Sequence, residues 1–201
     1  AGALAEAARG AGRGMSRFLF VCVGTGIGGG SVLDGRLYRG AGGSHPEVGH
    51  HIVEASGPPC SCGAVGCWEA LAAGPAIAEW FDAHVPQASR SAETTAKDVC
   101  DLAREGHPVA LQAVEREGFY LGVGLANLIT LFGPDVIALG GSVMRSYDLF
   151  RDPVHRTIRR LCTFVPWNER TIRMAELGAD AGLIGAAEVW RHRFNTGNAI
   201  S

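Results

Sequence analysis

His45–Glu69, HPEVGHHIVEASGPPCSCGAVGCWE, is the stretch on which the reading of this chain turns. It places Cys60, Cys62 and Cys67 within eight positions, with His50 ten residues ahead of the first cysteine. Three thiolates and one imidazole form a tetrahedral set suited to a structural Zn²⁺ ion. Gly57, Pro58, Pro59, Gly63 and Gly66 supply the tight turns that let such ligands converge. Disulfide pairing fits poorly, because no signal peptide is visible and a Cys-X-Cys bridge closes a strained loop. Unrelated buried thiols would account for the cysteines but not for the histidine and glycine spacing around them. His50 and His51 compete for the fourth position: along extended backbone, adjacent side chains face opposite ways, so only one reaches the ion. Glu47 and Glu69 stand just before the histidine and just after the last cysteine. A metal that fixed the loop would therefore fix both carboxylates.

Outward from this loop, the composition is that of a globular chain. Its 201 residues suffice for one large domain with a core, or two small ones. A net charge of −2 with the two signs interspersed argues against a nucleic-acid or membrane surface. The apolar runs are too short and too interrupted by glycine to span a bilayer. Six cysteines, half of them clustered in the loop, fit a reducing compartment, and a cytoplasmic location is expected. The chain opens at Ala1 inside the helix-like pattern AGALAEAARGAG, which reads as a piece of a longer protein.

Residues 1–9 read as a helix closed by the Gly10–Gly14 run. Arg17–Val23 (RFLFVCV) is a buried strand by its continuous apolar, β-rich composition. Residues 31–33 read as a second strand, Asp34-Gly35 as a hairpin turn and Arg36–Arg39 as the return. A short strand is expected over His50–Glu54. Beyond the loop, helices are expected over Trp68–Ala73 and Pro75–His84, followed by a polar loop over Gln87–Thr94. Thr95-Ala-Lys-Asp98 has the shape of a capping box opening a helix to about Arg104. Pro108 to about Phe132 reads as one long helix stopped by Gly133-Pro134. Leu121, Val123, Leu125, Leu128 and Leu131 put apolar groups round much of it, which fits burial on two sides, as a core helix or in an oligomer. Asp135–Leu139 is a buried strand; a helix from about Ser146, a strand near Thr171–Glu176 and a helix after Asp180 complete the chain. Alternating strands and helices argue for an α/β fold with a mixed sheet.

Two glycine stretches remain. Gly24-Thr25-Gly26-Ile27-Gly28-Gly29 satisfies G-x-G-x-x-G, but a hairpin rather than a helix follows, so the dinucleotide reading fails on context. No Lys-Ser/Thr follows either, which excludes a Walker loop. What remains is a β-turn-β loop whose bare N–H groups, with the Thr25 hydroxyl, would cradle phosphate oxygens. Against this stands a plain hairpin corner, which needs fewer glycines. Gly140-Gly141 lies just past a buried strand, where α/β sheets often bind ligands, although a strand-to-helix turn explains it equally well.

Taken together these motifs resemble the ROK family of bacterial sugar kinases and related repressors. The signature is Glu47-Val48-Gly49-His50, nine residues, then Cys60-Ser-Cys62-Gly63-Ala-Val-Gly66-Cys67-Trp-Glu69. Supporting matches are Gly24–Gly30, Pro134–Gly141 and Leu177–Ala187, so the resemblance covers essentially the whole chain. It implies an actin-like (ribonuclease H-like) ATPase lobe, with a mixed sheet flanked by helices and a zinc-bound loop. It implies His50, Cys60, Cys62 and Cys67 as ligands of a structural Zn²⁺, choosing His50 over His51. Glu47, His50 and Glu69 would hydrogen-bond sugar hydroxyls. Gly24, Thr25, Gly26 and Gly28 would meet the phosphates of MgATP, and Gly140 and Gly141 the adenosine. Family members also carry an N-terminal lobe with an Asp-x-Gly-Gly-Thr loop and an Asn-Asp-x-Asn motif, whose aspartate is the general base. This sequence has neither, so no catalytic residue is assigned. Residues 1–201 then read as the C-terminal lobe, with the 45–69 zinc and sugar loop inside it. The expected function is an ATP-dependent hexose kinase of glucokinase type, inactive as this piece alone. A sugar-responsive repressor and a non-catalytic sugar-binding remnant are the alternatives. Expected partners are a sugar, ATP and further copies of the chain, as a dimer or tetramer.

Overall fold

The computed structural model describes residues 1–86 and 93–195, with side chains of the final helix as far as residue 191. Its centre is β1 (Arg17–Val23), which pairs antiparallel with β2 (Ile27–Leu33) on one side and parallel with β4 (Val136–Gly140) on the other. A short β3 (Arg36–Leu37) edges β2 and β5 (Ile172–Met174) edges β4, giving a mixed sheet of order β3-β2-β1-β4-β5. Alternation along β1 sends Phe18 and Phe20 to one face and Leu19, Val21 and Val23 to the other. Both faces are therefore covered, as the apolar run of RFLFVCV requires.

One cover is thin. Helix α1 (Gly2–Arg9) packs Ala3 and Leu4 over Phe18, Val32 and Val136, and the C-terminal helix α7 (Ala181–Asn195) lies beside it. A buried Glu6 ties this layer together. Its Oε1 accepts Leu177 N–H at 2.8 Å, and its Oε2 accepts Ala11 N–H at 2.9 Å and Glu176 N–H at 3.2 Å. That carboxylate had no signal in the sequence beyond a helical position.

The other cover contains α2 (Trp68–Ala72), α3 (Gly74–His84), α4 (Ala96–Arg104), the 25-residue α5 (Pro108–Phe132) and α6 (Tyr147–Leu161). The first four form the crossover that parallel β1 and β4 demand. The expected capping box opens α4, with Thr95 Oγ1 accepting from Asp98 N–H and Asp98 accepting from Thr95 N–H. Helix α5 begins at Pro108 and ends at Gly133, whose φ of 49° closes the last turn in the left-handed region. Its glycines admit neighbours: a Cβ at Gly118 would meet Pro153, at Gly122 Thr157, and at Gly124 the Trp68 indole. Leu121, Leu125 and Leu128 are buried and Val123 half-buried as expected of a core helix, while Leu131 is exposed.

Three expectations move. Strand β2 starts at Ile27, not residue 31, because Gly28–Gly30 pair with Phe20–Cys22. No strand forms over His50–Glu54: Val48–His50 make one 3-10 turn, and only a single bridge, Ile52 with Cys67, survives. The local cause is that Val53 N–H and Glu54 N–H both turn to Gly66 O, folding the segment on to the cysteine loop. The return after the hairpin stops at Leu37 rather than Arg39, and β5 is shorter than expected. The polar loop expected over Gln87–Thr94 falls mainly on residues outside the described set.

Candidate functional site

The cysteine loop folds as a small hairpin of backbone bonds. Cys60 N–H donates to Ala64 O at 2.8 Å, Gly63 N–H to Cys60 O at 2.9 Å, and Gly66 N–H to Pro58 O at 2.8 Å. Gly63 and Gly66 take φ values of 92° and 73°, and any Cβ on Gly66 would strike Glu54 O. This turn brings the ligand atoms of His50, Cys60, Cys62 and Cys67 within 4.8 Å of one another. Cys60 Sγ lies 3.6 Å from His50 Nδ1, and Cys62 Sγ lies 3.6 Å from Cys67 Sγ. A tetrahedral Zn²⁺ with bonds of about 2.0–2.3 Å separates its ligands by roughly 3.5–3.8 Å, so the set fits such an ion with little movement. His51 turns the other way: its Nδ1 meets Val48 O and its ring packs on Trp68 at 5.3 Å. Of the two histidines, it is His50 whose ring stands beside the cysteines.

The thiols also carry an electrostatic argument. The Cys62 backbone N–H, followed by the neighbouring sulfurs and His50, lowers the Cys60 pKa to about 7. Burial first, then the sulfur neighbours, pushes Cys67 up to about 12. Side by side, these groups cannot all ionise without a cation between them, and a divalent ion is what reverses that cost.

Beyond Cys67 the chain enters α2, which carries Glu69 to the turn between β1 and β2. Glu69 Oε2 accepts the Ile27 N–H at 2.8 Å. Glu47, at the other end of the site, is exposed beside the Val48–His50 turn. The glycines of the turn serve close approach more than positive φ. Among Gly24–Gly30 none lies in the left-handed region. Gly26 leaves room for the Glu69 carboxylate, Gly29 for Phe20 O and Val48, and Gly30 for Ala3, while Gly28 is exposed beside open space.

The second glycine pair ends β4 alongside the end of β1. Gly140 pairs with Cys22, and Gly141, with φ of 96°, presses on the backbone of Val23. Gly24–Gly26 and Gly140–Gly141 thus meet at the carboxyl ends of two neighbouring parallel strands, the place where such sheets bind ligands. A cleft of about 590 Å³ opens there, lined by Gly24, Thr25, Pro75, Lys97, Arg104 and Arg145 among others. Gly26, Gly28, Gly140 and Gly141 are not among the residues that line it. The cationic residues of the cleft were missed by sequence reasoning. They come from α4 and from the turn before α6, and no local spacing links them.

A family model described as ROK family matches residues 1–193. A glucokinase of Halalkalibacterium halodurans is 32% identical over 204 residues, covering 96% of this chain and 62% of that protein. A xylose repressor of Bacillus spizizenii is 30% identical over 189 residues, covering 94% of this chain and 48% of that protein. Among solved structures, a ROK family glucokinase from Streptomyces griseus, in complex with glucose and AMPPNP, superposes with a TM-score of 0.81 at 33% identity over 94% of this chain and 64% of that one. The chain therefore spans less than two thirds of the length of these proteins.

Proposed function

Because the chain belongs to the ROK family, we propose that it is the C-terminal lobe of a sugar kinase that transfers the γ-phosphoryl group of MgATP to a hexose hydroxyl. The observation that carries this reading is the junction of two sites. The Cys/His cluster leads through α2 directly to a turn that borders a cleft at the sheet's carboxyl edge. When bound, Zn²⁺ would hold the 45–69 loop rigid and fix the tautomer of His50. With Nδ1 of His50 turned to the cluster, its other ring nitrogen is left as a donor for a sugar oxygen. Glu47 and Glu69 are acceptors for sugar hydroxyls, and Glu69 Oε1 makes no hydrogen bond among the described residues. Gly24 and Thr25 border the cleft where the triphosphate would lie, and Arg145, Lys97 and Arg104 supply positive charge to it. The hydroxyl oxygen bonds to the γ-phosphorus as the bond to the β-bridging oxygen breaks and ADP leaves. The hydroxyl proton would pass to the general-base aspartate that family members carry in their Asn-Asp-x-Asn motif, which lies outside this sequence.

The test is titration calorimetry on the zinc-loaded protein with glucose and with MgATP, alongside elemental analysis. About one Zn²⁺ per chain and saturable nucleotide binding are expected; a metal-free protein, or one indifferent to MgATP, overturns the kinase reading. The similarity to a xylose repressor favours one alternative, a sugar-responsive regulator. Sugar binding with no nucleotide binding would select it.

A further inference from the structure

Helix α2 is only five residues long, yet both of its ends are fastened to the same turn. Near its start, Glu69 Oε2 accepts Ile27 N–H at 2.8 Å; just past its end, Gly74 N–H donates to Gly24 O at 2.8 Å. The turn is shaped around the carboxylate, since a side chain on Gly26 would collide with it. The far half of α2 is clamped to α5, where Arg116 donates to Leu71 O at 3.1 Å. Trp68 Nε1–H also reaches α5, donating to Tyr120 O at 2.9 Å.

The first turn of α2 shares that tether through Trp68 but has no side-chain cap of its own. Its N-cap is Cys67, which makes no side-chain capping bond and whose sulfur faces the metal cluster instead. So short a helix has little intrinsic stability, because nucleation fixes several residues for one hydrogen bond. A metal bound at Cys67 Sγ would fix in place the residue from which this turn starts. Glu69 lies in that same first turn.

We propose that Glu69 is a positioning residue that couples metal occupancy of the Cys/His loop to the geometry of the Gly24–Gly26 turn, so that metal and nucleotide strengthen each other's binding. This rests on the metal and nucleotide readings above, and reciprocity follows from linkage: whatever the metal does for the turn, a ligand on the turn does for the metal.

The measurement is single-amide hydrogen exchange by NMR on the whole chain, with and without Zn²⁺. A hydrogen bond to a charged acceptor corresponds to roughly tenfold or more in protection. Removing Zn²⁺ should speed Ile27 exchange about tenfold while Val21, inside β1, stays protected. Zinc-loaded Glu69→Ala should show the same acceleration, with no further effect of chelation. Glu69→Gln, which keeps an acceptor oxygen, should retain most of the protection, and serves also if the alanine variant does not fold. MgATP affinity should fall about tenfold with either zinc removal or Glu69→Ala. The coupling is overturned if Ile27 exchange ignores zinc, or if Val21 accelerates equally, which marks global unfolding. It is equally overturned if Glu69→Ala protects Ile27 as well as the parent does. If MgATP binds none of these proteins, the nucleotide reading falls while the exchange data still judge the coupling.

Discussion

The Cys/His loop and the cleft beside it are neighbours built by opposite strategies. The loop gathers its four candidate ligands from 18 consecutive positions, His50 to Cys67, and its shape follows from local turns. The cleft gathers its lining from a β-turn, α3, α4 and the segment after β4, and its shape depends on the packing of helices against the sheet. Ligand chemistry restricts residue type strongly, so the loop has a spacing that can be read in one dimension. Helix packing restricts only size and polarity, so the cleft has none. Perturbations should separate along the same line.

The largest separation comes from Cys62→Ser. Cys62 is exposed, so little packing is lost, but one of the three thiolates in the four-ligand set goes. Zinc content should drop from about one per chain to under a tenth by elemental analysis. Structural zinc sites contribute on the order of 10 kcal/mol to folding of their own module, so the loop should open while the sheet remains folded. Retained zinc together with undiminished sugar affinity would break the distinction.

Gly124→Ala should act on the scaffold that both regions share. An added methyl would intrude on the Trp68 indole between α2 and α5, in a packed interior that cannot yield. Overpacking of this kind costs roughly 1–3 kcal/mol, partly offset by the better helix propensity of alanine. Urea unfolding should show a lower midpoint at unchanged slope. Nucleotide and zinc binding should weaken together, unlike the response to Cys62→Ser.

A pH dependence that leaves the cysteine loop out is expected from α5. Glu117 on α5 is fully buried, and neither carboxylate oxygen has a hydrogen-bond partner. Burial raises its pKa well above the ordinary carboxylate value, opposed only by Arg116, and its charge is felt by Cys100 in the cleft wall. A raised pKa means the folded state keeps its proton after the unfolded state has released it. Stability is therefore full below the usual carboxylate range and declines as pH rises toward the folded value. One proton limits the slope to about 1.4 kcal/mol per pH unit. Denaturant midpoints should fall between pH 5 and pH 8 for the parent and stay level for Glu117→Gln, with zinc content unchanged in both. An identical pH dependence in the two proteins would remove Glu117 from the account.

What the sequence made legible follows the same division. The loop, the capping box at Thr95, the α5 boundaries and the β1–β4 core could be read, because each rests on a motif or on unbroken apolar periodicity. The glycine turn after β1 was legible, but the close contacts that its glycines admit were not. Its glycines look like a bare N–H cradle in the sequence, whereas Gly26 and Gly29 are glycine because Glu69 and Val48 approach from elsewhere in the chain. The expected strand over His50–Glu54 failed for a related reason: the Val53 and Glu54 backbone donors turn to Gly66 O. Glu6 and Glu117 gave no signal, since a buried acid on a helix reads as an exposed one until its neighbours are known.

The smallest and finest test lies among the cations of the cleft. Lys97 is held by Asp101 at 2.6 Å, and Arg104 is shared between Asp101 at 3.3 Å and Asp148 at 3.0 Å. Arg145, in the turn before α6, is exposed and makes no ion pair among the described residues. A cation already paired must give up its partner to meet a phosphate, whereas Arg145 has nothing to give up. Exposed charge pairs contribute up to about 1 kcal/mol. Arg145→Ala should therefore raise the MgATP dissociation constant about threefold, more at low salt than at high, because screening at 1 M leaves a Debye length of only about 3 Å. Lys97→Ala should cost less, and both should leave zinc content intact. If Lys97→Ala proved the more damaging, the ion pair with Asp101 would be serving the ligand rather than the helix. The charge pattern of the cleft would then have to be read from α4 instead of from the segment after β4.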